Sequence, residues 1–395
     1  MKYYGHKLSR RSTLFPLPIT AELIPLAKNR EKHGERIYYL YEDIPTPIDL
    51  PEVIQQTSLS EIPLEVPDVL NQYAEIVCQD GTVLPSEETI VYPSLELALI
   101  HILSTVGSIG DEILLPQPTP LKWERIAQLT GLGTKKLPSL HQTGSSLPTK
   151  PTIEAMINPR TCVMVAFHPS PITGTFLTQE EIENIIAISE EHSLPLIIDE
   201  TLHPLYFTKQ PPPSFLTKNL HSEYTIVLRD VGTSLGLPNL STTICRVSSP
   251  PLKKHLTNLL TKTPLPSLSI GLLGIVLEKT PTFPTKVNQT AAEKREFAIR
   301  EINKLEDVYV HLPAGGWNLL VRLPVENTIL FAHWLLSELP GRQSVVIAPA
   351  QPLFSPEEKD SEKMIVVSFS IDKAELSGGI SVLKEGIRAY RETEV

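Results

Sequence analysis

Between residues 161 and 247 the chain carries four short, almost uninterrupted apolar runs: "TCVMVAF" (161–167), "LPLIID" (194–199), "TIVLRD" (225–230) and "TTICRV" (242–247). Each has the length of one strand, and β-branched residues recur in them. None alternates apolar with polar, so neither face of the sheet they build is meant for water. Between the first two runs the period changes. "TQEEIENIIAISEEH" opens on Thr178 with Glu181 three residues on, a capping-box pattern, and Ile182, Ile185 and Ile186 then line or flank one face. Upstream, "SLELALIHILSTVG" is apolar at helical spacing with Ser94 placed as its N-cap. "DEILLP" (111–116) reads as a buried strand and "LKWERIAQLTG" (121–131) as a helix stopped by Gly131. Strands alternating with helices predict an α/β fold with a mostly parallel sheet flanked by helices on both faces. Ligands of such sheets sit at the strand C-terminal ends. The segments to examine are therefore 117–120, 168–174, 199–203 and 230–241.

The alternation continues differently toward the C-terminus. "AAEKREFAIREINKL" (291–305) reads as a long helix. "VYVHLP", "GWNLLVRLP", "LFAHWLLSEL", "SVVIAP", "MIVVSFSI" and "AELSGGISVLKEGIRAY" then alternate strand and helix, as a second, smaller α+β domain would. At 395 residues the chain exceeds what one core usually serves. The expected division is an N-terminal arm and part of the small domain (1–85), a large α/β domain (86–285) and the C-terminal small domain (286–395).

Charge and composition exclude some functions. A formal net charge of −10 with no dense Lys/Arg run argues against a nucleic-acid surface. No apolar run reaches membrane-spanning length. Cys78, Cys162 and Cys245 lie far apart, with neither metal-ligand nor disulfide-framework spacing, which suits a reducing, cytoplasmic setting. Ser9-Arg10-Arg11 before Leu14 faintly resembles an export signal, but Pro16, Pro18 and Glu22 interrupt the apolar part. The expectation there is an N-terminal arm leading into a short helix over 21–28. Thirty-seven prolines against 19 glycines leave few places where backbone approaches a phosphate closely.

The stretches "GDEILLPQPTP", "ITGTFLTQEEIENII", "LPLIIDE", "GLPNL", "PAGGWNLLVRLP" and "SFSIDKAELSGGISVLKEGI", in this order, resemble the class I/II aminotransferase family of fold-type I pyridoxal-phosphate enzymes. The resemblance implies the fold-type I architecture, a homodimer and a pyridoxal phosphate site. It also implies roles for particular positions. Thr233 of "LRDVGTSLGLPNL" stands where the family's Schiff-base lysine would be, and a hydroxyl forms no imine. Pro171 replaces the asparagine that bonds the cofactor's ring oxygen, and Pro120 the aromatic that stacks on the ring. Leu202 takes the place of a tyrosine. Ser241 replaces the arginine that grips the phosphate, Asp230 a phosphate-binding serine, and Val366 the arginine that forks onto a substrate carboxylate. Only Asp199, the partner of the pyridine nitrogen, is kept.

The chain is therefore identified as a degenerate member of that family, a binding or partner protein for which pyridoxal phosphate is implied by resemblance only. An active aminotransferase with an atypical pocket is the alternative. A different enzyme reusing the cleft through His168, His203, Asp199 and Thr233 is a second alternative. Each residue also has a plainer reading. Asp199 is then held by backbone contacts, the two histidines are satisfied in the core, and Ser94 caps its helix instead of gathering an anion at the N-terminus. The degenerate reading expects a cleft smaller and more apolar than a working cofactor pocket, surrounded by Pro120, Pro171, Leu202 and Val366. An open basic site in which an arginine and a lysine converge would contradict it.

Overall fold

A computed structural model describes residues 17–18, 20–42, 66–77, 84–138, 146–217, 222–261, 263 and 267–393. Cys78 and the Ser9-Arg10-Arg11 segment lie outside them. In chain order the strands are β1 (Arg36–Tyr39), β2 (Thr89–Tyr92), β3 (Glu112–Leu115), β4 (Gly133–Lys136), β5 (Thr161–Phe167), β6 (Leu196–Asp199), β7 (Thr225–Asp230) and β8 (Thr243–Val247). They are followed by β9 (Tyr309–His311), β10 (Asn318–Arg322), β11 (Gln343–Val346), β12 (Ala348–Pro349) and β13 (Met364–Ser368).

Seven strands form the large sheet in the order β2-β8-β7-β6-β5-β3-β4. The pairs β7–β6, β6–β5, β5–β3 and β3–β4 are parallel, and β8 runs antiparallel to both its neighbours. The reason for the exception is the connection. Residues 231–242 join β7 to β8 through a one-turn helix and a short 3-10 turn, with no crossover helix to carry the chain back to the start of β7.

The uninterrupted apolar runs are explained by what covers them. In β5, Val163, Val165 and Phe167 enter one core with Leu99, Trp123 and Ile197. Met164 and Ala166, on the other face, enter a second core with Ile182, Ile185 and Leu196. Alternate residues point to opposite faces, and here a helix layer buries each. The helices Leu95–Val106 and Leu121–Thr130 cover the first face, and Gln179–Glu191 the second. The Thr178–Glu181 capping box is present in full, and Gly131 ends its helix at φ +88°. Ser94 caps its helix by accepting a hydrogen bond from the Leu97 amide at 3.2 Å.

The C-terminal part folds as an antiparallel sheet in the order β12-β13-β10-β9. β11 instead pairs in parallel with β1, so the run "SVVIAP" is divided between two sheets. A large core under the helices Phe283–Ile302, Thr328–Ser337 and Lys373–Thr393 holds Trp317, Phe331, Leu335 and Phe369. The long helix starts at Phe283 rather than at residue 291, because Pro284 fits a first turn that needs no amide donor there. The N-terminal helix likewise spans Leu23–Lys32 instead of 21–28.

The two parts touch beside the sheet's C-terminal edge. Gly174 has φ +67°, and a side chain there would run into the Gly315 carbonyl and Pro313. The Ala314 amide donates to the Gly174 carbonyl at 3.0 Å. This contact places the segment containing Trp317 over the ends of β5 to β7.

Candidate functional site

Asp230, the last residue of β7, organises the turn that follows it. Its carboxylate accepts from the Thr233 amide at 2.7 Å, from the Ser241 hydroxyl and from the Thr243 hydroxyl at 3.2 Å. The first bond caps the one-turn helix Val231–Ser234. Gly232 lets this turn close: a Cβ there would lie 2.6 Å from the Leu240 backbone. Burial pushes the Asp230 pKa up, while bonds from Ser241 and Thr233 and the charge of Lys122 act against that rise.

Asp199 ends the neighbouring strand β6. Its Oδ1 accepts from the Thr201 amide at 2.9 Å, and its Oδ2 is buried with no hydrogen-bond partner among the described residues. Asp199 is in register with Leu228, so Asp230, two residues further on, projects from the same face. The intervening residues point the other way. Glu200 and Arg229 form a buried ion pair there, and Ser214 and the Phe215 amide also donate to Glu200, at 2.9 and 2.6 Å. One face of these strand ends thus carries the cavity groups, and the other a structural tie to the loop over 209–217.

A cavity of about 460 Å³ opens above the first face. Thr233, Asp199, Ser94, Asp230 and Ser241 all border it, as do Pro120, Pro171 and Leu202. The sequence therefore singles out residues that the fold does bring together. Val366 is a correction. It does not border the cavity but packs with Leu121, Ile172 and Leu353 in a small apolar cluster behind the wall. The cavity's volume falls within the range of small-molecule pockets, about 300–1,000 Å³. The wall also carries Lys122, Arg125, Glu42 and Glu96. Lys122 and Arg125 stand three residues apart on one helix, which puts them on one face. That spacing was visible in the sequence; its proximity to Thr233, more than a hundred residues away, was not. Trp317 and Asn318 complete the far wall, and Asn318 Nδ2 donates to the Pro171 carbonyl at 2.9 Å.

His168 and His203 do not border this cavity. His168 Nδ1 accepts from the Leu177 amide at 3.0 Å, which leaves Nε2 as the donor to the Pro213 carbonyl at 2.7 Å. His203 Nε2 donates to the same carbonyl at 3.2 Å, with the two rings 5.3 Å apart. Burial pushes both pKa values down, that of His203 strongly. Both are neutral, satisfied core histidines. The four groups invoked for a different enzyme in this cleft do not converge.

Similarity to known proteins agrees with the architecture. The family model "Aminotransferase class I and II" matches residues 52–359. An aspartate aminotransferase of Musicola paradisiaca is 22% identical over 312 residues, which cover 76% of this chain and 74% of that protein. The HTH-type transcriptional regulator NorG of Staphylococcus aureus is 22% identical over 302 residues, 73% of this chain and 63% of that protein. Among solved structures, the aspartate aminotransferase from Rhizobium meliloti superposes with a TM-score of 0.82 at 16% identity, covering 97% of this chain and 99% of that one. An alanine aminotransferase from Pyrococcus furiosus gives 0.82 at 15%, covering 97% and 100%. No described helix is long and apolar enough to cross a membrane. With the matched model spanning most of the sequence and the fold shared over nearly its whole length, the chain belongs to the class I and II aminotransferase family.

Proposed function

We propose that this protein keeps the aminotransferase fold without its covalent chemistry, and acts by binding a small ligand or a partner protein. The observation that carries the reading is the turn at Thr233. That side chain has no amine, and the turn is held by an acidic group, Asp230, bonded to the Thr233 amide and to Ser241. Pyridoxal phosphate is the cofactor the family implies. The side chains here do not fit it: Asp230 and Glu96 border the cavity as acids, Ser94 is engaged as a helix cap, and the wall facing Thr233 offers no amine from that turn. Asp199 is the one family position whose chemistry suits a bound nitrogen base. By family resemblance we further propose a cytoplasmic homodimer with the domain division 1–85, 86–285 and 286–395.

One observation favours a second reading, an active enzyme with a relocated lysine. Lys122 and Arg125 both border the cavity. Against it, four carboxylates stand in the same wall, Glu42, Glu96, Asp199 and Asp230, so the site is not basic. The deciding experiment is absorbance of the purified protein with pyridoxal phosphate, followed by borohydride trapping and peptide mapping. The non-catalytic reading expects no stoichiometric adduct in the cavity and no amino-group transfer to any 2-oxo acid. An adduct mapped to Lys122 together with transfer would establish the second reading.

A further inference from the structure

A second cavity, of about 220 Å³, lies behind the first. The ends of β6 and β7 and the turns after them stand between the two as a shared wall. Leu202 borders the first cavity and His203 the second, Asp230 the first and Arg229 the second, Thr233 the first and Ser234 the second. For Arg229 and Asp230 the reason is strand geometry, since adjacent residues point to opposite faces. The helix Phe283–Ile302 contributes Thr285, Asn288, Gln289 and Ala292 to the lining.

This lining selects the kind of molecule that fits. Ile76, Val77, Leu235 and Ala292 give it an apolar part. Tyr206, Thr285, Asn288 and Gln289 add hydroxyl and amide groups, which donate and accept alike. Charge here is already answered. Among the described lining residues only Arg229 carries a full charge, and it is paired with Glu200 and bonded to the Ser214 hydroxyl at 2.9 Å. His203 is neutral, because burial lowers its pKa well below the ordinary histidine value. A charged molecule entering the cavity gives up hydration and meets no uncompensated counter-charge among these residues. One feature favours an anion. The helix Phe283–Ile302 begins at this lining with no side-chain cap at Thr282, so its dipole is open there. That partial charge is smaller than the full charge an anion would bring, and the loss of hydration decides. The volume lies below the roughly 300–1,000 Å³ of drug-sized ligand pockets, so the occupant is small.

We propose that this second cavity binds a small uncharged molecule with an apolar body and a group that both donates and accepts hydrogen bonds. The occupant meets Ser234 and Leu235, on the back of the turn whose Thr233 borders the first cavity. The inference goes beyond the reading of the first cavity and stands whether or not that cavity is catalytic.

Benzamide, benzoate and benzamidine are matched probes, nearly equal in size and respectively neutral, anionic and cationic at neutral pH. Each is titrated calorimetrically into the full chain. Benzamide should bind saturably, and the two ions at least tenfold more weakly. Ala292→Trp, which fills the second cavity from a half-buried helix position, should abolish benzamide binding. If that variant fails to fold, as judged by far-UV circular dichroism, Gln289→Trp at an exposed lining position carries the test with the same expected loss. Lys122→Trp, which narrows the first cavity alone, should leave benzamide affinity within twofold of wild type. No saturable binding of benzamide, equal or tighter binding of either ion, or binding that survives the filling variants each overturns the proposal. Loss of benzamide binding in folded Lys122→Trp also overturns it, since that result puts the probe in the first cavity.

Discussion

Asp199 and Asp230 end adjacent parallel strands and project from the same face of the sheet, two residues apart in register. Their roles differ. Asp230 spends its carboxylate on the turn that contains Thr233, while Asp199 keeps one oxygen without a partner among the described residues. The first organises the turn at Thr233 and the second does not, and the predictions start from that difference.

Replacing Thr233 by lysine alone restores no transamination. The new amine would stand beside Asp230 and Ser241, and the groups at 120, 171, 202 and 366 would be unchanged. Residues that act as one unit do not recover singly. Thr233→Lys should show no amino-group transfer in a coupled 2-oxo acid assay, whatever its absorbance with pyridoxal phosphate.

Asp230→Ala destabilises the protein by about 1–3 kcal/mol, because the Ser241 and Thr243 hydroxyls and the Thr233 amide lose a buried acceptor. Urea unfolding measures it. The pH dependence has a definite sign. Burial raises the folded-state pKa of Asp230 above its unfolded value. Stability from the retained proton is thus fully present below the ordinary carboxylate range and is lost as pH rises through the folded value. Asp230→Asn cannot titrate, so the advantage of wild type over this variant should shrink on going from about pH 4 to neutrality. An advantage that grows over that interval would contradict the assignment.

Acidification acts through the two core histidines in the opposite sense. Burial lowers the pKa values of His168 and His203 in the folded state. The stability they supply is present above the unfolded value and lost as pH falls below it. One proton taken up only on unfolding contributes a slope of about 1.4 kcal/mol per pH unit. Unfolding free energies between pH 7 and 5 should fall, and His203→Gln should have the shallower slope.

The ion pair on the opposite face is the largest single polar contribution we expect. Arg229 and Glu200 are almost fully buried, with side-chain exposures of 1% and 0%. Removing one partner leaves a buried charge uncompensated, at about 3–5 kcal/mol. Glu200→Ala should lower the urea midpoint sharply. Removing both charges in Glu200→Met with Arg229→Met should cost less than the sum of the single changes.

Sedimentation of the full chain at micromolar concentration should give twice the 43.9 kDa chain mass. Apolar burial holds such an interface together independently of catalysis. A stable monomer would count against the homodimer we propose by resemblance.

The sequence by itself determined the layered architecture. Four apolar runs of strand length require burial on both faces, and helical spacing in 94–106 and 179–191 supplied the covers. These are local signals, and Ser94, Thr178 and Gly131 act within one turn of where they stand. It also determined that Thr233 has no amine, since bond chemistry needs no coordinates. Tertiary structure decided what surrounds Thr233. Lys122 and Trp317 are far away in sequence, and only packing of their elements over the strand ends brings them to one wall. It placed Val366 behind that wall, since the direction of a side chain on β13 follows from its pairing with β10 and not from its neighbours in the chain. It also separated Asp199 and Asp230 from Glu200 and Arg229. Adjacent residues of a strand point to opposite faces, and which face borders a cavity depends on what the rest of the chain packs against it.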